Sequence, residues 1–357
     1  MIEGVIWAIM AGLMLGLYAL PEKFTKDFKF ENTWGLFFML TMFVVPLIAS
    51  IGLIKGFGDV FASVPTLVLI KMSAASVLWG IGVMMWGKAI NHIGLSLGFS
   101  IFIGTVILVG SILPFLVDGL PPINTFFTIL AGIIVVLLGV IANGKAGITR
   151  AKDEKAKSTE SKDDDSKGSM TKGIAIAVIG GLLATGFSFA NAVGRPVIHE
   201  ACQKMGNAEW VTAVAVMFPI FMSGGLVMAA YFTWQLTQKK AWASFKTPHF
   251  GKNLVFISIM AIFHYAASGV FAFAAFKLGD MGNTVGYAIF NTSCVVVAII
   301  SGLITKEWTQ ASSKARTWLY TGLACMVGGI LIVALGNKTS KSDLSPDQQV
   351  QVLTGDK

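Results

Sequence analysis

Long runs of apolar residues, separated by short polar connections, make up most of this chain of 357 residues. An α-helix needs roughly 20 residues to cross about 30 Å of hydrocarbon, and each run has about that length. Connections as short as Asn91-His92-Ile93 require consecutive helices to run antiparallel, side by side. The pattern predicts ten transmembrane helices, over residues 2–20, 33–54, 66–90, 94–117, 123–142, 173–193, 210–234, 254–276, 282–304 and 317–336.

Two polar segments interrupt or follow these runs. Residues 143–172 are rich in Lys, Asp and Glu and contain almost no apolar side chains. Such a segment buries too little apolar surface to offset the entropy lost on ordering, so we predict a flexible charged linker there. The same reasoning predicts a disordered tail over residues 337–357.

The composition supports a membrane protein. Charged residues are 13% of the chain and apolar residues 55%, whereas charged residues are about 25% of an ordinary soluble protein. The net charge of +8 does not indicate nucleic-acid binding, because the basic residues are scattered over the connections, often beside Asp or Glu. We therefore predict an all-α integral membrane protein whose surroundings are the lipid bilayer.

The basic residues also predict an orientation. Connections after odd-numbered helices carry 19 Lys and Arg residues, and the opposite side carries 8. Because the richer side is normally cytoplasmic, the charged linker should lie inside the cell and both termini outside.

The chain contains a weak internal repeat. An offset of 169 residues matches Gly4, Ala8, Gly12 and Leu13 with Gly173, Ala177, Gly181 and Leu182, in helices one and six. An offset of 188 aligns helices four and nine, including Gly98 with Gly286 and Phe102 with Phe290. Both offsets fit two copies of five helices joined at the linker.

A repeat with an odd number of helices must insert its second copy upside down. The predicted organisation is therefore a first five-helix repeat over 1–142, the linker over 143–172 and a second, inverted repeat over 173–336. Inverted repeats are typical of secondary transporters, in which a site at the midplane opens to either side. A duplication that only builds a stable bundle is the alternative.

Several motifs resemble the L-rhamnose–proton symporter family. They are Trp79-Gly80-Ile81-Gly82, Gly94-Leu95-Ser96-Leu97-Gly98, Ser188-Phe189-Ala190, Arg195-Pro196, His199-Glu200-Ala201 and Lys306-Glu307-Trp308. The resemblance implies membership of the drug/metabolite transporter superfamily, with ten helices in two inverted repeats. It also implies a bacterial inner-membrane importer of L-rhamnose or a similar deoxy-sugar with protons, the sugar binding between the repeats.

Three residues are candidates for proton coupling. His264 lies near the middle of helix eight, and an unperturbed imidazole titrates near physiological pH. No Asp or Glu lies deep in any predicted helix, and the nearest candidates are Glu200 and its neighbour His199, just beyond helix six. Each has a plainer interpretation, namely a hydrogen-bonded core histidine for His264 and an ion pair with Arg195 for Glu200.

A sugar needs hydroxyl and amide partners for its rim and an aromatic ring for its C–H face. Polar or aromatic residues within the predicted helices supply eight candidates: Trp79, Trp86, Ser100, Ser188, Asn191, Tyr287, Asn291 and Thr292. Ser and Thr in helices often bond back to their own backbone, which is the plainer interpretation for them. Trp34 and Trp308 are better interpreted as anchors at the membrane interface.

Other functions remain as alternatives. Within the same class they are a drug or metabolite exporter and an uncoupled carrier; outside it, a membrane-embedded enzyme. Residues 94–98 match the G-x-S-x-G pattern of hydrolases, but that nucleophile turn follows a strand, and here a helix precedes it. No Walker A loop, H-E-x-x-H pair or aspartate pair for a metal is present, so we predict no catalytic residue, metal or cofactor. The sequence leaves the oligomeric state open.

Overall fold

The computed structural model describes residues 2–93, 95–157, 170–279, 282–304, 306 and 308–342. Within these residues the regular secondary structure is helical, and nine helices are long and apolar enough to cross a membrane. The chain is an integral membrane protein built from helices. The α-helices are α1 Ile2–Leu17, α2 Phe30–Met39, α3 Val45–Leu53, α4 Phe57–Ser63, α5 Thr66–Ile93, α6 Leu95–Ile112, α7 Phe115–Asp118, α8 Ile123–Lys157, α9 Met170–Ala184, α10 Gly186–Lys204, α11 Glu209–Gln238, α12 Phe250–Leu278, α13 Tyr287–Ile304 and α14 Ser313–Ser342.

Each of the ten predicted spans overlaps at least one of these helices, and the fourth fits least well. It was predicted over 94–117, but α6 ends at Ile112, and its apolar part, Ser100–Ile112, is shorter than a full span. The helix stops there because Pro114 has no N–H to bond the carbonyl of Gly110. That carbonyl instead accepts a hydrogen bond of 2.8 Å from the Ser188 hydroxyl of α10.

The charged segment after the fifth span differs from the prediction. Residues 143–157 continue α8 as a helix rather than forming a flexible linker. Two of its basic side chains contact aromatic rings. Lys145 Nζ lies 4.7 Å from the centre of the Trp318 ring in α14, and Arg150 lies 5.2 Å from the centre of the Trp308 ring, which precedes α14. These cation–π contacts, and the packing of the aliphatic parts of the Lys and Arg side chains, stabilise the helix, which could not be predicted from the charge content of the segment. Residues 158–169 of the predicted linker and the tail from 343 lie outside the described residues.

The helices pack in corresponding pairs. Helix α1 packs on α12 and α13, and α9 packs on α5 and α6. Gly12 of α1 lies so close to Ser293 of α13 that a Cβ would collide, and Gly181 of α9 lies equally close to Thr105 of α6. Under the offsets of 169 and 188, Gly12 corresponds to Gly181 and Thr105 to Ser293. The same contact therefore occurs twice, each time between the first half of the chain and the second.

Helices α8 and α14 form an antiparallel pair that packs through glycines. Gly132 lies against Gly329, and Gly139 lies against Gly322. Missing side chains at these four positions let the two backbones approach closely, as small residues do in membrane helices.

This close approach gives a stability prediction. A Cβ at Gly329 would lie 2.8 Å from the backbone nitrogen of Val136 and 2.9 Å from the oxygen of Gly132, whereas a Cβ at the adjacent Gly328 meets no atom within 4 Å. We expect Gly329→Ala to lose about 1–3 kcal/mol through overpacking. Gly328→Ala, the matched control, should gain up to about 1 kcal/mol of helix preference. Thermal unfolding in detergent measures both, and equal stabilisation by the two changes would refute the close contact.

The helices are irregular near the centre of the bundle. A wide π turn, Leu40–Val44, joins α2 to α3 just before Pro46, and a second one, Gly282–Gly286, leads into α13. Helices α9 and α10 join at a break at Thr185, whose hydroxyl bonds to the oxygen of Leu182. Such turns free backbone groups and re-aim side chains, often at functional sites.

Candidate functional site

A cavity of about 410 Å³ lies among the helices, within the range of about 300–1,000 Å³ common for small-molecule sites. It extends from the centre of the bundle to the face at which α1, α5 and α11 end and α2 begins. Apolar and aromatic side chains dominate its wall. The lining residues are Leu15, Tyr18, Phe30, Trp34, Phe38, Met42, Trp79, Val83, Met84, Trp86, Gly87, Ile90, Phe102, Ile103, Val106, Ala184, Phe187, Met228, Tyr231, Phe232, His264, Ser268, Tyr287, Phe290 and Asn291.

His264 is fixed in the cavity wall by the π turn of the facing helix. Its Nδ1 lies 3.1 Å from the hydroxyl oxygen of Thr41, and that hydroxyl lies 3.2 Å from the backbone oxygen of Ala261. A hydroxyl has one proton, so if Thr41 donates to Ala261 it accepts from Nδ1–H of the histidine. This arrangement leaves the Nε2 lone pair of His264 able to take up a proton.

Aromatic rings surround His264 and continue along the cavity. Its ring centre lies 5.0 Å from that of Tyr18, 5.4 Å from that of Phe37 and 5.6 Å from that of Phe221. Trp79, one helix away, contacts Phe187 and Phe221 at 5.2 and 5.5 Å. The wall can therefore stack against an apolar ring face.

A second stack lies nearer the mouth. Trp86 of α5 stacks on Phe102 of α6 at 5.8 Å. Across the cavity, Tyr231 of α11 packs edge-on against Phe232, and its hydroxyl accepts a hydrogen bond of 3.0 Å from Gln235.

The polar groups of the cavity are few and come from different helices. Asn291, largely buried, donates 3.0 Å to the backbone oxygen of Tyr287, and both residues line the cavity. Ser268 bonds to the backbone oxygen of His264 at 3.3 Å. A small number of polar groups in an apolar wall suits a neutral ligand whose hydroxyls need a few fixed partners.

Five predicted site residues meet in this cavity, and six do not line it. Those that line it are His264, Trp79, Trp86, Tyr287 and Asn291. Those that lie elsewhere are Ser100, Ser188, Asn191, Thr292, His199 and Glu200.

The residues outside the cavity have other partners or positions. Asn191 is buried and donates 2.7 Å to the side-chain oxygen of Asn283, while Thr292 is fully buried. His199 lies 3.1 Å from the hydroxyl of Thr212. Together with Ser188, Asn191 and His199 fill the bundle between the cavity and the face opposite its mouth.

Glu200 is poorly placed for a role in the cavity. Its carboxylate is 68% exposed and pairs at 2.7 Å with Lys204, one turn further along α10. Arg195, the ion-pair partner considered from the sequence, instead donates 2.8 Å to the backbone oxygen of Ala275. Glu200 therefore forms an ion pair, as the plainer interpretation expected, but its partner is Lys204 and not Arg195.

Sequence reasoning missed the mouth of the cavity. Trp34, interpreted as an interface anchor, lines the cavity, and its Nε1–H donates 2.8 Å to the carboxylate of Glu22. Tyr18 and Tyr231 were not candidates, although both hydroxyphenyl side chains lie within a helical turn or two of a predicted span's end. The only signal in the sequence was that both residues are tyrosines, because the sequence does not show which face of a helix points inward.

Polar loops hold the helices together at both faces. At the mouth, the Asn253 amide exchanges two hydrogen bonds with the backbone of Lys26, and Glu31 pairs with Lys239. At the opposite face, the Asn207 amide exchanges two hydrogen bonds with the backbone of Lys55. At each face an asparagine amide thus ties a connection to a distant part of the chain.

Comparison with known proteins points to one family. The sequence model of the family described as L-rhamnose-proton symport protein (RhaT) matches residues 1–339. The L-rhamnose-proton symporter of Yersinia pestis (strain Pestoides F) is 24% identical over 347 residues, covering 94% of this chain and 98% of that protein. That of Escherichia coli (strain 55989 / EAEC) is 24% identical over 349 residues, with 93% and 97% covered.

Proposed function

The chain belongs to the L-rhamnose-proton symport protein family, and on that premise we propose that it imports L-rhamnose or a similar deoxy-sugar with protons by alternating access. It is a transporter and not an enzyme. The observation that carries the proposal is one titratable side chain, His264, set in an aromatic cavity between the two halves. We place the chain in the drug/metabolite transporter superfamily.

The proposed architecture is ten transmembrane helices in two inverted five-helix repeats. The contacts Gly12–Ser293 and Gly181–Thr105 support it, because corresponding residues of the two halves meet across the boundary between the halves in both cases. The α8–α14 pair supports inversion, since the helices that close the two repeats pack antiparallel, each through two glycines seven residues apart. Two similar halves can pack in two nearly equivalent ways, which opens a central site to one side and then the other.

The proposed orientation makes this an inward-open state of a bacterial inner-membrane protein. With both termini in the periplasm, as the basic residues predict, the mouth of the cavity faces the cytoplasm. The buried contacts of Ser188, Asn191 and Arg195 then close the periplasmic side.

In this proposal different cavity residues bind the proton and the sugar. We assign His264 to the proton, and Trp79, Trp86, Tyr287 and Asn291 to the sugar. The indole rings would stack on the C–H face and the 6-methyl group, and the amide and phenol would bond the hydroxyls. In this proposal Ser188, Asn191 and Thr292 act in closing the outer half, and Glu200 and His199 are not required for coupling.

Uptake into proteoliposomes tests the function. A pH gradient with an alkaline interior should drive labelled L-rhamnose to a higher concentration inside than outside, and sugar added without a gradient should alkalinise the external medium. One proton per sugar at one pH unit supplies about 1.4 kcal/mol, or about tenfold accumulation. Uptake that is indifferent to the gradient would reject proton coupling, and transport of no sugar in a panel would reject the substrate class.

A further inference from the structure

Glu22 is a carboxylate that the sequence did not single out. It lies on the short helical turn Leu20–Phe24, which follows α1 at the mouth of the cavity, and it is half-buried. Its oxygen accepts the hydrogen bond of 2.8 Å from Trp34, a residue of the cavity wall.

The other carboxylates near this mouth are already engaged by basic or hydroxyl groups. Glu31, 6% exposed, pairs with Lys239, and Asp27 accepts 2.8 Å from the Thr247 hydroxyl and lies 3.8 Å from His249. Among the residues that the structure describes, Glu22 forms no such ion pair. A carboxylate held by one neutral donor can take up and release a proton without breaking a salt bridge.

A continuous line of rings joins Glu22 to His264. Tyr18 contacts the His264 ring at 5.0 Å and the Trp34 ring at 6.3 Å, and Trp34 bonds to Glu22. The two titratable groups therefore lie along one side of the cavity, one deep inside and one at its exit.

The internal repeat relates Glu22 to a residue of the second half. Under the offset of 169, Glu22 corresponds to Asn191, which lies in the closed outer half and bonds to Asn283. The position thus lies on the route out of the site in each half, and of its two copies Glu22 can carry a proton whereas Asn191 cannot.

We propose that Glu22 is the proton-accepting residue of the cytoplasmic exit, which receives the coupling proton released by His264. The N–H bond at Nε2 of the His264 imidazolium breaks, water in the cavity carries the proton, and an O–H bond forms at the Glu22 carboxylate. The carboxyl group then gives the proton to cytoplasmic water. The inference rests on the proposed function, with Trp34 as the residue that positions the carboxylate.

The charged and titratable groups around Glu22 are compatible with this role. Lys23 and Lys26 lie on the same connection, and Lys252 of α12 sits 5.7 Å above the ring of Phe256, beside this turn. Together with Asp27 and His249 these groups keep the exit near neutral charge.

Glu22→Gln tests the relay, because glutamine keeps the acceptor for Trp34 and loses the ability to carry a proton. We expect the rate of pH-driven L-rhamnose uptake into proteoliposomes to fall about tenfold, less than the roughly 10²–10⁴-fold effect of losing a general base in an enzyme, because water can still accept the proton slowly. Exchange of labelled for unlabelled sugar at equal pH should be unchanged, since it needs no proton release. Raising the concentration of a small internal buffer such as imidazole should restore the rate by replacing the lost acceptor.

Glu31→Gln is the matched control, since this carboxylate lies at the same face but is neutralised by Lys239, and its driven uptake should stay near the wild-type rate. An unchanged driven rate in Glu22→Gln, a parallel loss of exchange, or no rescue by internal buffer would each overturn the relay. If the wild-type protein shows no proton-driven uptake, the proposed function fails instead, so the two failures are distinct.

Discussion

Replacing His264 by Gln should abolish the accumulation of sugar driven by a pH gradient, while exchange of sugar across the membrane continues. The glutamine amide can still bond to Thr41 and to a sugar hydroxyl, but it cannot carry a proton through the transport cycle. With a gradient of one pH unit, the inside-to-outside ratio should fall from about ten to about one. Labelled L-rhamnose uptake into proteoliposomes, compared with counterflow in the same preparation, measures both quantities.

His199→Gln is the matched control for this experiment. His199 lies outside the cavity with its ring near Thr212 and Phe276, so its loss should leave accumulation within about twofold of wild type. Concentrative uptake by His264→Gln at the wild-type ratio would show that the proton is carried elsewhere. An equal loss of accumulation in both histidine variants would show that the effect comes from misfolding or from the outer half of the bundle, and not from the cavity.

In the proposed inverted repeat, His264 and Trp79 have comparable surroundings. Thr41 contacts the backbone at Ala261 and the side chain at His264, and Gly224 contacts the backbone at Ser76 and the side chain at Trp79. If α5 and α12 are equivalent, Trp79 and His264 occupy the same position in the two repeats. On the proposed assignments, one copy would supply a stacking surface for the sugar and the other a proton carrier at the corresponding level of the membrane.

Much of this organisation could be predicted from the sequence, because a bilayer imposes strong rules on helix length and on buried polar groups. Hydropathy located the helices, and the cost of a histidine at the midplane identified His264. The internal repeat drew attention to Gly12, which lies at a close contact between helices.

The errors have physical causes too. Residues 143–157 were predicted to be flexible because their composition offers little to stabilise a helix. In the structure they are helical, and they contact Trp318 and Trp308, which are distant in the sequence. Trp34 was considered only as an interface anchor because tryptophan prefers that depth, and its place in the cavity wall was missed. Glu22 lies just beyond a predicted span, and nothing local indicates that Trp34 would cover it. Which face of a helix points inward depends on partners that one sequence does not show.

The mouth of the cavity offers a test by steric block. Gly87 lines the cavity on α5, and a Cβ added there would meet no atom within 4 Å. A phenylalanine at this position should therefore enter the cavity without forcing helices apart, and its helix preference exceeds that of glycine. We expect Gly87→Phe to reduce L-rhamnose uptake and exchange at least about tenfold, with no loss of thermal stability.

Gly328→Phe is the matched control, because this glycine also has open space at its Cβ but lies on α14, away from the cavity. Its uptake and its unfolding temperature should both remain near wild type. A block in Gly87→Phe differs in kind from the loss in His264→Gln, since it stops exchange as well as driven uptake. If Gly87→Phe transported sugar at the wild-type rate while folding normally, the route to the cytoplasm would not pass α5, and the relay at Glu22 would lose its exit.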